Sequence, residues 1–295
     1  MSKISIRFFN DKEVRAVWDE EGNKWFFNIV DICAVLTESK APNAYWRWLK
    51  RKLIAEKNQT VSGAHAFKFL ATDGKRRLMD AIDSDNLVKL ATAFPNKNVP
   101  KFLEWLTCGE NTIDGQSKKK AYALWESGLL DTQDTGSIKS LQQIHAYIFG
   151  GLYDFAGNIR TLTISKGRFT FCVAQHLPIV LKNIETMPET TFDEICEKYV
   201  EMNVVHPFME GNGRSTRIWL DLIFKRSLKK CVDWSKIDKN DYLNAMMKSH
   251  TDDSDIKRLL KSALTDKIND REMFMKGIDY SYYYEEDHTV ESGNE

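Results

Sequence analysis

The sequence predicts two domains: a smaller α+β domain, followed by a mainly α domain, a helical bundle with one inserted β-hairpin. Its 295 residues are enough for about two domains. Segments rich in β-branched and aromatic residues are concentrated in the first third, whereas helical spacing dominates the remainder. A polar stretch over 109–117 breaks the periodicity between them. We therefore predict domains at 1–110 and 111–290, ending in a tail over 287–295.

The overall composition excludes several classes of protein. Apolar residues make up 42% of the chain, with only 15 Gly and 6 Pro, as is typical of a folded globular protein. The 42 basic and 42 acidic residues cancel, so the whole-chain charge attracts neither nucleic acid nor an anionic membrane. We expect no membrane contact, because no apolar run approaches the ~20 residues of a membrane span. A cytoplasmic location is predicted, since the first residues lack a signal-peptide pattern and the five cysteines are scattered.

Turn signals and periodicity give the order of elements in the N-terminal part. Residues 20–23 form a turn signal between two strands. A hairpin is expected at about 60–70, with Gly63 near its turn. The other predicted elements are strands at 3–9, 13–18 and 24–27, and helices at 28–36, 44–54, 74–82, 84–93 and 98–107.

A basic patch lies between Arg47 and Arg77. Nine basic residues in this stretch are opposed by two acidic ones, and Tyr45, Trp46 and Trp48 lie at its start. Such a patch can bind the phosphate backbone of a nucleic acid while the aromatic residues stack or pack. Two alternatives stay open: a surface that docks a protein, and core tryptophans beneath a solvated helix face.

Beyond residue 111 the pattern is helical, except over 161–173. That segment alternates between apolar and polar residues and has Lys166-Gly167 at its centre. The pattern predicts a β-hairpin inserted among the helices.

The most informative stretch is 206–217, HPFMEGNGRSTR. Residues 192–205 have helical spacing, and Pro207 disfavours helix at the residue before it, so the helix should end at His206. The next helix should begin near Asn212. Gly211 and Gly213 would let backbone amides approach a ligand closely. Together with the free amides at the start of that helix, they predict an anion site.

Four charged or titratable residues in this stretch indicate its chemistry. Arg214 and Arg217 lie three apart in the first turns of the predicted helix, and two guanidinium groups suit a polyphosphate. Glu210 supplies one hard oxygen ligand, which is enough for Mg²⁺ that also bridges phosphate oxygens. His206 is placed to take a proton from an incoming hydroxyl. The inferred reaction is attack on a bound nucleotide.

This stretch resembles the signature of the Fic family, H-P-F-x-[D/E]-G-N-G-R-x-x-R, at every specified position. Residues 141–160 (LQQIHAYIFGGLYDFAGNIR) and the predicted hairpin resemble that family's conserved segment and flap. The resemblance covers about residues 111–290. It implies a protein adenylyltransferase that moves AMP from ATP to a Ser, Thr or Tyr hydroxyl of a target protein.

The resemblance also implies roles for single residues. His206 is the general base, and Glu210 holds Mg²⁺. Arg214 contacts the β-phosphate of ATP and Arg217 the γ-phosphate. Phe208 packs the loop on the core. The residues expected at the nucleotide are Phe208, Gly211, Asn212, Gly213, Arg214, Arg217 and Tyr242. The flap residues expected to align the target by strand addition are Lys166, Gly167 and Arg168.

A helix predicted over about 270–286 carries Ser281 and Glu285, which lie four apart on one face. One class of Fic proteins has an inhibitory [S/T]-x-x-x-E-[G/N] motif in such a helix. By this resemblance Glu285 pairs with Arg217 and blocks the γ-phosphate position. Glu286 departs from the expected Gly or Asn, which leaves the end of the helix uncertain. The alternative is a packing helix with a solvated acidic end.

Several tyrosines crowd the same helix. They predict aromatic packing, at an interface between copies of the chain in one interpretation. In a sharper hypothesis the enzyme modifies its own Tyr282 or Tyr283, which would expel the helix.

The N-terminal part resembles the Bro-N domain of phage antirepressors. The resemblance rests on 14–18 (VRAVW), 23–27 (NKWFF) and 30–33 (VDIC). It implies an association with DNA. This resemblance leaves open the alternative of a nucleic-acid-binding regulator. The Fic resemblance leaves open a second alternative, an enzyme that uses another nucleotide donor or removes AMP.

Overall fold

The structure is a computed structural model that describes residues 4–22, 24–57, 59–71, 74–94, 98–108, 112–166 and 169–286. The chain divides into two compact units between Thr112 and Ile113. This division lies within the polar stretch at 109–117, and a helix begins there at Ile113. No helix in the described ranges is long and apolar enough to cross a bilayer.

The N-terminal unit contains an antiparallel five-stranded sheet in the order β1-β2-β3-β5-β4. Its strands are β1 (Ile4–Phe9), β2 (Lys12–Asp19), β3 (Lys24–Asn28), β4 (Ala64–Leu70) and β5 (Arg76–Asp83). Its helices are α1 (Ile29–Thr37), α2 (Pro42–Ala55), α3 (Ser84–Ala91) and α4 (Val99–Cys108). The buried core includes Phe27, Ile32, Trp46 and Phe102. Three predicted strands and four predicted helices are thereby confirmed to within a few residues.

Two predictions for this unit are wrong. Residues 76–83 form strand β5 and not a helix. The hairpin pairs β4 with β5, from Leu70 opposite Arg76, so that Gly63 is not at its turn. The turn is made by Gly74, which has a φ of 77°, and by a hydrogen bond from the Ala71 amide to the Lys75 carbonyl. Apolar residues at 78, 79, 81 and 82 mimic helical spacing. Pairing with β3 and β4 on either side decides the strand.

The C-terminal unit is mainly helical. Its helices are α5 (Ile113–Ala123), α6 (Leu129–Thr132), α7 (Ile138–Phe149), α8 (Leu177–Glu185), α9 (Phe192–Val205), α10 (Asn212–Leu228), α11 (Lys239–Lys248), α12 (Ser254–Ala263) and α13 (Arg271–Tyr283). Helix α10 is mostly buried and packs against α7, α9 and α13. This unit confirms the predicted helical class.

Two small sheets accompany these helices. The predicted hairpin at 161–173 is confirmed, but its strands β6 (Ser165–Lys166) and β7 (Phe169–Thr170) are only two residues long. A second pair, β8 (Cys231–Val232) and β9 (Leu264–Thr265), was not predicted. Segments this short carry no alternation that a sequence pattern could reveal.

The loop between α9 and α10 is defined at both ends by local sequence. Helix α9 begins with a capping box of Thr191 and Glu194. It ends at His206, whose φ of 47° takes the chain out of the helix before Pro207. Gly211, with a φ of 77°, precedes α10. Both predicted helix boundaries are confirmed.

Candidate active site

The loop over 206–211 is held by contacts within itself and to α7. The Phe208 side chain is fully buried and stacks on His145, with ring centroids 3.8 Å apart. The Asn212 side chain accepts a hydrogen bond from the Phe208 amide at 2.8 Å and donates one to the Phe208 carbonyl at 2.8 Å. Phe208 is thus the predicted loop anchor. The side chains of Phe208 and Asn212 are engaged within the loop, and their predicted place among the nucleotide contacts stays a prediction.

His145 supports the loop from α7, a role that the sequence did not indicate. The Gly157 amide donates to Nδ1 at 2.9 Å, so Nε2 carries the proton and donates to the Glu210 carbonyl at 2.9 Å. Burial lowers the pKa of His145 to about 4, and the Arg214 charge acts in the same direction although the bond to Glu210 opposes it. The ring is therefore neutral at pH 7. In the sequence, the four-residue spacing of His145 and Phe149 indicates only that both lie on the buried face of a helix.

Neighbouring side chains leave little space for a Cβ atom at Gly211, at the end of the loop, or at Gly213, in the first turn of α10. A Cβ at Gly211 would overlap the Phe149 ring, and the positive φ adds to the constraint. A Cβ at Gly213 would overlap the Glu285 carboxylate and crowd the Arg217 guanidinium. The Glu285 carboxylate therefore lies against Gly213, in the first turn of α10.

One ring nitrogen of His206 is held by the backbone and the other is an acceptor. Its Nδ1 donates to the Asn203 carbonyl, which leaves Nε2 as an unprotonated acceptor. The ring stacks on Phe171, which follows strand β7, with centroids 3.8 Å apart. Burial lowers the pKa of His206 to about 4 against a smaller opposing effect of its bond to Asn203. The imidazole is consequently neutral at pH 7 and able to accept a proton.

Arg160 joins the hairpin to the end of α9 through carbonyl groups alone. The side chain is 4% exposed and donates to the carbonyls of His206 at 2.7 Å, Val205 at 3.0 Å and Leu162 at 2.6 Å. A further donation reaches the Cys172 carbonyl. The fork of N–H groups thereby fixes His206 relative to the flap. The sequence marked this arginine only as a matching position.

Arg214 lies at the start of α10 between two aromatic rings. Its guanidinium carbon is 4.9 Å from the centroid of Phe149 and 5.4 Å from that of Tyr282. Nη2 donates to Glu210 at 2.8 Å, and Nη1 donates to Asp114 at the start of α5. The predicted Arg214 is thus at the site, and Asp114 is a partner that the sequence did not reveal.

Arg217 is 2% exposed, and each of its three guanidinium nitrogens donates at least one hydrogen bond. Nε donates to the Ser281 hydroxyl at 2.8 Å, Nη2 to the Ser281 carbonyl at 2.7 Å and to Glu285, and Nη1 to the Tyr242 hydroxyl at 3.1 Å. Burial alone would raise the pKa of Glu285, but the Arg217 charge and hydrogen bond outweigh it and hold that pKa below its usual value. The predicted pair is therefore ionised at neutral pH.

Helix α13 ends at Tyr283, earlier than predicted, and Glu285 lies in the turn that follows. Its amide donates to the Tyr282 carbonyl at 3.0 Å, which keeps its side chain beside that of Ser281. Tyr284, at the C-cap, has right-handed φ and ψ, and Glu286 is not among the residues with a positive φ. The turn therefore needs neither Gly nor Asn at 286.

The α13 tyrosines are packing residues in this state. The Tyr282 hydroxyl donates to Ser117 at 3.0 Å and is buried, which argues against Tyr282 as a modification site while α13 is docked. Tyr284 donates to the carbonyls of Trp234 at 2.7 Å and Ile237 at 2.9 Å. Tyr283 is half-buried.

Tyr242 is likewise buried and does not offer a face to a ligand. Its ring stacks on Tyr284, with centroids 4.7 Å apart, and its hydroxyl lies 2.6 Å from that of Tyr199. While α13 is docked, Tyr242 supports Arg217. Its predicted place beside adenine stays a prediction.

Residues 136–224 match the model of the Fic/DOC family. The chain contains a Fic/DOC domain. A protein adenylyltransferase of Bartonella schoenbuchensis, VbhT, is 25% identical over 169 residues, which are 52% of this chain and 35% of that protein. The protein adenylyltransferase fic-1 of Caenorhabditis elegans is 31% identical over 102 residues, 32% of this chain and 20% of that protein.

Among solved structures, the FIC domain of Bep8 from Bartonella sp. 1-1C aligns with a TM-score of 0.47 at 14% identity, over 55% of this chain and 88% of that one. The chain spans about a third of VbhT and a fifth of fic-1.

The Fic/DOC match contains His206, Glu210, Arg214 and Arg217, but not every residue that contacts them. Asp114 precedes the matched residues, and Ser281 and Glu285 follow them. The two arginines of the Fic/DOC domain are therefore paired in part by helices that lie outside the matched segment.

Glu210 fits the predicted magnesium role. Its side chain is 55% exposed, and its carboxylate accepts from the Gly211 amide at 2.9 Å, next to the start of α10. Mg²⁺ is commonly held by one or two carboxylates together with substrate phosphates. Within the described ranges there is no cluster of three His, Cys, Asp or Glu residues that would form a protein-only metal cage. A single carboxylate beside a phosphate site is the arrangement that suits Mg²⁺.

The role of the flap residues in aligning a target stays a prediction. Lys166 is exposed at the end of β6. Gly167 and Arg168 lie outside the described residues.

The Arg160 contacts predict a large effect on stability. We expect Arg160→Ala to destabilise the chain by about 2–4 kcal/mol, because several buried carbonyls lose their donor. Differential scanning calorimetry of the full chain should show a fall of about 5–10 °C in the transition of the C-terminal unit.

The control for this experiment is Arg258→Ala. Arg258 is 68% exposed and forms an exposed ion pair with Asp255, so its loss should cost less than about 1 kcal/mol. Equal shifts for the two variants would contradict the role given to Arg160.

Proposed function

We propose that this chain is a protein adenylyltransferase, which moves AMP from ATP to a Ser, Thr or Tyr hydroxyl of a target protein. The observation that carries the proposal is His206, whose Nδ1 is bonded to the Asn203 carbonyl so that Nε2 is the acceptor nitrogen. The loop that follows it contains Glu210, and the next helix, α10, carries Arg214 and Arg217. The adenylyltransferase names of the relatives that share the Fic/DOC domain support it.

The reaction follows from the placement of these groups. The target hydroxyl oxygen attacks the α-phosphorus of ATP, and its proton passes to Nε2 of His206. The bond between the α-phosphorus and the bridging oxygen breaks, and pyrophosphate leaves. The amides at the start of α10 and the two arginines hold the phosphate chain and its developing charge. Mg²⁺ on Glu210 would add positive charge at the phosphate oxygens.

We further propose that α13 inhibits this reaction in the same chain. Ser281 and Glu285 occupy three of the four hydrogen bonds of Arg217, and the Glu285 carboxylate lies over Gly213. An anion in that place competes with the γ-phosphate. The Lys239 ammonium donates to the Glu286 carbonyl, which adds a contact at the end of the inhibitory segment.

Transfer from a different nucleotide, or removal of AMP, would use the same His206 and arginines, and a mass change on the target separates these reactions. A reducing, cytoplasmic setting fits the free thiols of Cys33, Cys172, Cys196 and Cys231.

A second candidate function is nucleic-acid binding by the N-terminal unit. Trp46 is buried and donates to Asp80 at 2.7 Å, so it is a core residue, whereas Trp48 is 54% exposed. Arg47, Arg51 and Lys52 are exposed on the same helix, α2. Exposed basic residues around an exposed aromatic ring fit a phosphate backbone. The proposed Bro-N likeness agrees with this surface.

The first test is release of the inhibited state. We expect Glu285→Gly to raise AMP transfer from α-labelled ATP by more than about tenfold, because Arg217 loses its competing anion. The labelled target would be identified from a native-like lysate, and adding His206→Ala should abolish the label. Glu286→Gly is the matched control and should behave as wild type. Equal labelling by wild type and Glu285→Gly would contradict inhibition by α13.

The pH dependence of the released enzyme tests the base. A base with an ordinary histidine pKa of about 6.5 would lose about tenfold in rate between pH 7.5 and 5.5. The pKa of His206 is lowered to about 4, and Glu285 raises it, so removing Glu285 lowers it further. We expect Glu285→Gly to transfer AMP at a nearly constant rate over this range. A tenfold fall, with circular dichroism unchanged, would exclude this state of His206.

Nucleic-acid binding is tested by charge reversal on α2. Changing Arg47, Arg51 and Lys52 to Glu should weaken binding of a labelled DNA duplex more than tenfold and make the salt dependence shallower by about two to three in log–log slope. The matched control reverses Lys182, Lys236 and Lys248, which are exposed in the C-terminal unit. Fluorescence anisotropy from 50 to 200 mM salt measures both. Identical curves for the two triple variants would exclude this surface.

A further inference from the structure

Arg214 cannot move far from its position. It is 4% exposed, and the rings of Phe149 and Tyr282 flank its guanidinium group on opposite helices, α7 and α13. The described residues offer its Nε no hydrogen-bond acceptor. Its terminal nitrogens are therefore the part of the fork that an incoming anion can reach.

These terminal nitrogens already carry two carboxylates. Glu210 accepts from Nη2 and Asp114 accepts from Nη1. The Glu210 side chain is 55% exposed and that of Asp114 69% exposed, although the arginine between them is buried. Two carboxylates on one guanidinium match the acceptor pattern that phosphate oxygens would present. The anion site at Arg214 is thus filled by the protein itself.

The two carboxylates differ in what they gain on release. Glu210 belongs to the signature loop and can move to Mg²⁺ when a phosphate replaces it. Asp114 lies on α5, outside that loop, and its release breaks the ion pair with Arg214. The loss of this pair opposes nucleotide binding, although hydration of the exposed carboxylate keeps the effect modest.

We propose that Asp114 is an internal competitor of the nucleotide, which occupies Arg214 until a phosphate group displaces it. The inference rests on the proposed function, because it requires that Arg214 bind a nucleotide phosphate. It is separate from the action of Glu285, which engages a different arginine. Asp114 acts through Arg214 and contacts no reacting atom, so it is a positioning residue that sets nucleotide affinity.

Helix α13 is connected to this competitor. The Tyr282 hydroxyl donates to Ser117 at 3.0 Å, and the Ser117 hydroxyl donates to the Asp114 carbonyl at 3.1 Å. The same Tyr282 ring covers Arg214. Docking of α13 thus covers the Arg214 guanidinium with the Tyr282 ring and adds a hydrogen bond to Ser117, which contacts the turn that carries Asp114.

The test is the binding of ADP to the whole 295-residue chain, measured by isothermal titration calorimetry once in the presence of EDTA and once in the presence of Mg²⁺. ADP carries the phosphates that reach Arg214 and lacks the γ-phosphate that Arg217 would bind. We expect Asp114→Asn to tighten ADP binding about three- to tenfold. Asp114→Glu, which keeps the carboxylate, should return the affinity toward wild type. Adenosine, which has no phosphate, should bind wild type and Asp114→Asn equally.

Asp255→Asn is the matched control, because Asp255 forms an exposed pair with Arg258 at 3.2 Å on α12 and its loss removes the same charge. It should leave ADP affinity unchanged. Asp114→Ser, which also suits the first turn of a helix, replaces Asp114→Asn if the latter lowers the melting temperature.

The outcomes separate the two proposals. Unchanged or weaker ADP binding by Asp114→Asn would overturn the competitor role and leave adenylyl transfer standing. A loss of ADP affinity that occurs only with Mg²⁺ would make Asp114 a metal ligand and also overturn it. If no form of the chain, Glu285→Gly included, binds ADP, the nucleotide site fails and the competitor role fails with it.

Discussion

The buried charge of Arg217 is the constraint on which the arrangement of the site depends. A guanidinium that is 2% exposed, with no partner, would cost several kcal/mol. The Arg217 guanidinium therefore needs hydrogen-bond acceptors in every state of the protein. Ser281, Glu285 and Tyr242 supply it here, and a nucleotide phosphate is the other anion that the location suits. The two sets cannot be present together, because the Glu285 carboxylate lies directly over Gly213.

The scaffold around this charge is made of hydrogen bonds to uncharged acceptors and not of ion pairs. His145 is held by the Gly157 amide and the Glu210 carbonyl, Asn212 by the backbone of Phe208, and Arg160 by carbonyl groups. Bonds of this kind do not weaken when an anion arrives, whereas the ion pairs of Arg214 and Arg217 do. The loop can therefore keep its shape while its charged partners exchange. A preorganised site of this type loses little free energy to rearrangement during the reaction.

The sequence predicted what local residues determine. The end of α9 at His206 and the start of α10 followed from Pro207, the glycines and the spacing of apolar residues, and the signature located the two arginines. Prediction from the sequence failed where contacts between distant residues determine the structure. Strand β5 has helix-like spacing and is a strand only because it lies between β3 and β4. Asp114 is 100 residues from Arg214, in a segment taken for a boundary, so no spacing rule connects the two.

Asp114 and Glu285 come from outside the matched Fic/DOC segment, and their exposure suggests an order for the proposed release. The Asp114 side chain is 69% exposed and that of Glu285 is 28% exposed. Water and salt weaken an exposed ion pair more than a shielded one, so the anion on Arg214 exchanges more easily than the anion on Arg217. A nucleotide would then engage Arg214 first, while α13 still covers Arg217. In this intermediate the nucleotide is bound through Arg214, but its γ-phosphate is not correctly placed. Such a state allows α13 to inhibit the reaction without excluding the nucleotide.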